Sequence, residues 1–157
     1  GGASLVDDSV TANISQLGNG ISKLILPTDI LISKDTTGRG ETSVSAVRDL
    51  ERDEIIVDIG PQSAEKFAAI IAKSEMVIWN GPMGLAEVGQ FAHGTEKVAE
   101  AVAGAKKSII GGGETIAAAA KLDLLNKFSY VSTGGGAMLA FLAGEELPGL
   151  KALGYYD

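Results

Sequence analysis

The sequence predicts an α/β fold, a three-layer arrangement in which helices cover a parallel sheet. Two patterns carry that expectation. Short apolar runs, most of them lacking in-and-out alternation, recur along the chain, and amphipathic helical patterns separate them, as in sheets covered on both faces. Two triple-glycine segments, Gly111 to Gly113 and Gly134 to Gly136, each fall between such a run and a helical pattern. In sheets of this kind, ligands bind where strands end and helices begin.

The strand-like runs begin with Lys23 to Leu26 and Ile30 to Ser33, broken by Pro27. Ile55 to Ile59, Met76 to Trp79, Ser108 to Ile110 and Ser129 to Ser132 follow. Phe67, Ile70 and Ile71 recur at i, i+3 and i+4, which predicts a helix with Ser63 as its N-cap. Thr95 is placed to cap a second helix, ahead of Val98, Ala101, Val102 and Ala105. Thr115 to Leu125 and Gly136 to Leu142 read as two more. Thr36 to Arg52 is polar and nearly free of large apolar residues, so it reads as an exposed connection with a short strand near Thr42 to Val47. Strands alternating with helices imply parallel units with right-handed crossovers.

A chain of 157 residues holds one domain with a real core and is too short for two full ones. The formal net charge of −7 argues against a nucleic acid or an anionic membrane as partner. It leaves room for a nucleotide, because backbone N–H groups can hold phosphates without a basic surface. Cysteine is absent, which rules out disulfides and zinc–thiolate sites and fits a reducing, cytoplasmic setting. No run approaches the roughly 20 apolar residues of a membrane span. The opening Gly1-Gly2-Ala3-Ser4 reads as an internal cut or a tag remnant.

Four segments carry chemistry. In Ser108 to Thr115 a strand runs through three glycines into a helix. Glycine lets backbone approach a ligand closely, and the helix start offers unpaired N–H groups to a phosphate. Thr115 adds a hydroxyl and Glu114 a carboxylate that could hold Mg²⁺ beside the phosphates. Ser132 to Ala137 repeats the logic, so the two turns could face one phosphate chain. Trp79-Asn80-Gly81-Pro82-Met83-Gly84 ends a strand in a rigid turn, with Glu87 beyond it. Asn80 could bond a nucleotide and Glu87 the ribose hydroxyls, against the plain reading of a tight turn with an incidental acid. The carboxylate of Asp58, in Asp58-Ile59-Gly60-Pro61, is expected to be structural, and Trp79 to be core. No Gly-Lys pair occurs, so there is no Walker loop, and neither triple glycine continues as GxGxxG. His93 stands alone, a poor metal ligand or triad member.

In order, LPTDILIS, DIGP, WNGPMG with Glu87, FAHGT, GGGET, STGGGAMLAFL and LPGL resemble the segments of the phosphoglycerate kinase family. The resemblance covers nearly the whole chain. It implies a Rossmann-like C-terminal domain, incomplete, spanning residues 1–157, with residues 133–157 reaching the interdomain hinge and the N-terminal domain absent. It also implies the glycolytic transfer of a phosphoryl group between 1,3-bisphosphoglycerate and MgADP, giving 3-phosphoglycerate and MgATP. Gly112, Gly113, Glu114 and Thr115 would then contact the nucleotide phosphates, with Glu114 towards Mg²⁺. Asn80 and Pro82 would line the nucleotide cleft, and Glu87 would meet the ribose. Thr133, Gly134, Gly135 and Gly136 would stand at the hinge, and the amides of Gly113 and Gly135 would face the transferring phosphoryl group. Such a transition state needs positioning and charge stabilisation and no covalent nucleophile.

Departures from the family accompany the resemblance. Glu114 stands where the family has Asp, and Tyr130 where it often has His. Family chains hold two or three domains' worth of residues by length. The basic triose site and catalytic arginine of their N-terminal domain have no counterpart here, nor do the opening segments of the nucleotide domain. The chain begins near the family's GKSLVE stretch, written as Gly2-Ala3-Ser4-Leu5-Val6. Alone, it is expected to bind ADP or ATP at most and to need the missing domain for 3-phosphoglycerate. The competing readings are a nucleotide-binding module without kinase activity, half of a split kinase, and a structural remnant stable only beside its other half.

Overall fold

The computed structural model describes residues 20–156, so the reading of Gly1 to Val6 lies outside the described residues. The chain divides into two compact units. One comprises the residues up to Lys66 with Met83–Gly94, the other Phe67–Pro82 with the residues from Thr95 onward.

The first unit is built on a three-stranded sheet of β1 (Asp29–Ser33), β2 (Thr42–Ala46) and β3 (Ile55–Ile59), ordered β2-β1-β3. Both pairings are antiparallel, where the sequence pattern predicts parallel strands. The connections explain the difference. A parallel crossover needs about a dozen residues and usually a helix, whereas 34–41, which joins β1 to β2, contains no α-helix; 47–54 then crosses to the other edge of β1, so β2 and β3 run in the same sense. The polar stretch supplies the edge strand β2, exposed over Thr42 to Val44. The central strand buries Ile30 and Ile32. The register shifts between Leu31 and Ile32, opposite a stretch of β3 where consecutive residues, Val57 and Asp58, are both buried. Lys23 to Leu26 forms no strand; Leu24, Ile25 and Leu26 are exposed in the segment leading to Pro27.

Two helices begin in this unit, and each receives its cap from a strand. The helix α1 (Pro61–Ile71) opens on a proline, whose missing N–H costs nothing there. The Asp29 carboxylate of β1 accepts the Gln62 and Ser63 N–H groups at 3.0 and 2.7 Å. Ser63 is therefore not the N-cap the sequence suggests. It lies inside the first turn, buried, with its hydroxyl donating to Asp29 and accepting the Thr28 N–H at 2.9 Å. Likewise α2 (His93–Ala103) begins before Thr95, and its Gly94 N–H is accepted by the buried Asp58 carboxylate of β3 at 2.7 Å. The expectation that Asp58 is structural holds. His93 is exposed at the helix start.

Burial raises the Asp29 pKa, but the Ser63 hydroxyl and the Gln62 and Ser63 amides outweigh it and hold the group below its ordinary 3.8. A depressed folded-state pKa stabilises the protein above the unfolded value and loses that contribution as pH falls through the folded one. The stability gap between the wild-type chain and Asp29→Asn, measured by urea unfolding, is expected to narrow as the pH falls below about 4.

The second unit holds the parallel sheet that the sequence predicts. Its strands β4 (Val77–Asn80), β5 (Ser108–Gly111) and β6 (Tyr130–Ser132) lie in the order β4-β5-β6. The register aligns Trp79, Ile110 and Val131 in one cross-strand row, with Trp79 and Ile110 buried. Trp79 packs its ring 6.4 Å from that of Phe128, so it is a core residue. The helices α3 (Gly113–Lys121) and α4 (Gly135–Leu142) follow β5 and β6 and both pack on β5. A short helix, α5 (Pro148–Ala152), closes the described chain.

Candidate nucleotide-phosphate site

In the second unit, β4 and β5 end side by side with Asn80 opposite Gly111. At and beyond these ends the chain needs glycine on two grounds, positive φ and contact with backbone, and Gly111 also faces the flexible end of a side chain. Gly81 and Gly112 have φ of +101° and +90°, a region that side chains rarely adopt. A Cβ on Gly111 would lie 2.6 Å from the Met138 Cε atom of α4. A Cβ on Gly135 would run into the backbone of Gly112, 2.7 Å from its Cα. The two triple-glycine turns therefore meet backbone to backbone, at Gly112 and Gly135. The Asn80 side chain lies beside both. Its oxygen is 3.1 Å from where a Gly112 Cβ would stand, and its nitrogen 3.2 Å from where a Gly135 Cβ would.

Both helix starts at this junction lack a side-chain cap. Gly112 and Gly134 are the N-cap residues of α3 and α4, and neither helix has a capping side-chain bond. The N–H groups of a first helical turn have no partner within the helix, and the dipole there favours an anion. In α1 and α2 a buried carboxylate answers that demand. Among the described residues no side chain does so in α3 or α4, and Gly113, Gly134 and Gly136 are exposed. The arrangement suits a phosphate chain bridging two helix starts.

The turn that follows β4 is fixed from both sides. Gly81 N–H donates to the Thr115 hydroxyl at 2.7 Å, and the Trp79 indole N–H donates to the Gly81 carbonyl at 2.8 Å. Thr115 is fully buried. The sequence offers its hydroxyl to a phosphate; in the fold that oxygen also holds the neighbouring turn, and nothing in the local sequence signals that bond. Asn80 is exposed and Pro82 half-buried at the same end of the sheet. Thr133 is exposed ahead of α4. Glu87 belongs to the first unit, exposed, in a segment held by Leu85 N–H donating to Val57 O at 2.9 Å.

Glu114 is exposed in the first turn of α3. Among the described residues no group of three or more His, Asp or Glu side chains is placed to hold a metal ion. Magnesium does not require one: it takes one or two carboxylates, with phosphate oxygens and waters completing the octahedron. A single carboxylate beside a candidate phosphate turn fits that demand.

A depression of about 420 Å³ lies in the first unit between Ser33, Lys34, Asp35, Glu41 and Glu54. Its chemistry is wrong for a polyanion. Lys34 is paired with Asp53 at 2.6 Å. Asp35 accepts from the Thr37 hydroxyl and from the Thr37, Arg39 and Gly40 amides, which lower its pKa to about 2. The lining is net acidic, and its one cation is already engaged.

The family profile of phosphoglycerate kinase matches residues 2–145. The chain belongs to the phosphoglycerate kinase family. The solved phosphoglycerate kinase from Coxiella burnetii superposes with a TM-score of 0.88 at 35% identity, covering 96% of this chain and 40% of that one. The phosphoglycerate kinase from Pyrococcus horikoshii OT3 gives 0.79 at 36% identity, covering 93% of this chain and 36% of that one. The present chain thus corresponds to part of a phosphoglycerate kinase and spans about two-fifths of the length of these relatives. Among the described residues no helix is long and apolar enough to cross a membrane.

Proposed function

We propose that this chain carries the nucleotide-phosphate machinery of a cytoplasmic, glycolytic phosphoglycerate kinase and is inactive by itself. One observation carries the reading: two uncapped helix starts are joined through Gly112 and Gly135. Gly112, Gly113, Glu114 and the Thr115 amide hold the ADP or ATP phosphates. Asn80 and Pro82 line the cleft, and Glu87 serves the ribose. The amides of Gly113 and Gly135 face the phosphoryl group in transit, within a hinge that includes Thr133, Gly134 and Gly136 and extends over residues 133–157. Glu114 is the protein ligand for Mg²⁺, which neutralises charge on the phosphates when bound. The protein's part is to fix donors where charge develops, in a reaction that needs no covalent nucleophile.

The triose substrate, 3-phosphoglycerate or 1,3-bisphosphoglycerate, requires the part of a phosphoglycerate kinase not matched by this chain. Calorimetry with MgADP and a coupled ADP/ATP assay together test the proposal. Binding without turnover is expected. Turnover near that of an intact kinase would contradict the inactivity, and absence of MgADP binding would contradict the phosphate site.

A further inference from the structure

Asparagine is followed by glycine twice in the sequence, at Asn19–Gly20 and Asn80–Gly81. Asparagine is chemically labile, and it cyclises most readily before glycine, where no Cβ shields the attacking nitrogen. Asn80 is exposed at the end of β4, within reach of water. The fold keeps the two reacting groups apart. The Gly81 N–H is tied to the Thr115 hydroxyl at 2.7 Å, and the Gly81 carbonyl to the Trp79 indole at 2.8 Å. Thr115 is fully buried, so water does not compete for its oxygen. The Asn80 Cγ leans over the other turn, 3.5 Å from where a Gly112 Cβ would stand.

We propose that Asn80 is a site of spontaneous deamidation, held in check by the bond from Gly81 to Thr115. When that bond opens, the Gly81 nitrogen gives its proton to solvent base and attacks Asn80 Cγ. The bond from Cγ to the side-chain nitrogen breaks, and ammonia leaves with a proton taken from solvent. The succinimide so formed adds water and opens to aspartate or isoaspartate, with no change of oxidation state. Either product carries a carboxylate where a neutral amide had faced Gly112 and Gly135. At a place suited to phosphate that charge repels the ligand. The repulsion rests on the nucleotide reading above; the deamidation does not.

The test follows exchange of –NH2 for –OH at Asn80 by peptide mass spectrometry in mildly alkaline buffer. It compares the parent chain, folded and in urea, with Thr115→Val, which keeps shape and loses the acceptor, and Thr115→Ser, which keeps the acceptor. In urea Asn19 and Asn80 are expected to react alike, and the folded parent to react at Asn80 about tenfold more slowly than that. Thr115→Val is expected to speed the reaction of the folded chain by about tenfold, and Thr115→Ser to stay within roughly twofold of the parent. A folded parent that reacts as fast as in urea would overturn the proposal, and so would a folded Val variant no faster than the parent. The comparison with urea needs no variant, so it decides the case if Thr115→Val does not fold. In calorimetry, Asn80→Asp is expected to weaken MgADP by about tenfold, and an unchanged affinity would overturn the charge effect. A parent that binds no MgADP would overturn the nucleotide reading, while the mass spectra, which need no ligand, still decide the deamidation.

Discussion

Gly135→Ala is expected to disable the phosphate junction. The added methyl meets backbone, the N and Cα of Gly112, and backbone cannot rotate away as a flexible side chain can. Either α4 must lift from β5 or the Gly112 turn must move, and both displace amides from the place where the two helix starts meet. Overpacking of this kind costs about 2 kcal/mol. Borne by the bound state, the same amount weakens MgADP by roughly 30-fold. The neighbouring Gly136 is the control, since a Cβ there meets nothing within 4 Å. Gly136→Ala makes the same chemical change one residue further into the helix and is expected to leave stability and MgADP affinity near those of the parent. Thermal unfolding and calorimetry on the two variants check the contrast. Equal behaviour would mean that the turns do not press on each other.

The second large effect is expected at Asp58. Its carboxylate is buried and accepts the Gly94 N–H that opens α2, as well as the Ile59 N–H at 2.8 Å. Glycines crowd it: a Cβ on Gly84 would come within 2.8 Å of Asp58 Oδ1, and one on Gly94 would strike the same oxygen. Asp58→Ala removes the acceptor of the buried Gly94 amide and of the part-buried Ile59 amide and leaves a space that the surrounding backbone is poorly placed to fill. A loss of about 3 kcal/mol in urea unfolding is expected. Asp58→Asn is expected to lose less, because an amide oxygen still accepts from Gly94. A variant as stable as the parent to within about 0.5 kcal/mol would contradict the capping role.

The two aspartates also show where sequence reading stops. The strands at Ile55, Val77, Ser108 and Tyr130 were legible because buried strands show as short apolar runs closed by glycine or polar residues. The run at Lys23 to Leu26 has the same composition and forms no strand, since composition does not reveal whether a neighbouring strand is there to pair with it. Ser63 and Thr95 are the capping residues that local rules select. The caps came instead from Asp29 and Asp58, 34 and 36 residues away in sequence, beyond the reach of any local rule. The antiparallel first sheet was hidden for a related reason. Apolar runs report that strands exist, while direction depends on the connections, and the polar hairpin of 34–41 carries no helix.

At the junction the legible part was the need for glycine, and the illegible part was what each glycine avoids. Gly112 needs its positive φ, Gly111 makes room for Met138, and Gly135 makes room for Gly112. All three look alike as letters. Thr115 is the clearest case: its residue type suggests a phosphate ligand, and only its burial and the bond to Gly81 show that the hydroxyl faces inward.

Backbone amide shifts followed during titration with MgADP test most directly whether phosphates bind at the meeting point of these two turns. The largest changes are expected at Gly112, Gly113, Glu114 and Thr115, with smaller ones at Gly134 to Gly136 and little change along the β1–β2 hairpin. Shifts centred on Lys34, Asp35 and Glu41, or none anywhere at saturating MgADP, would contradict it.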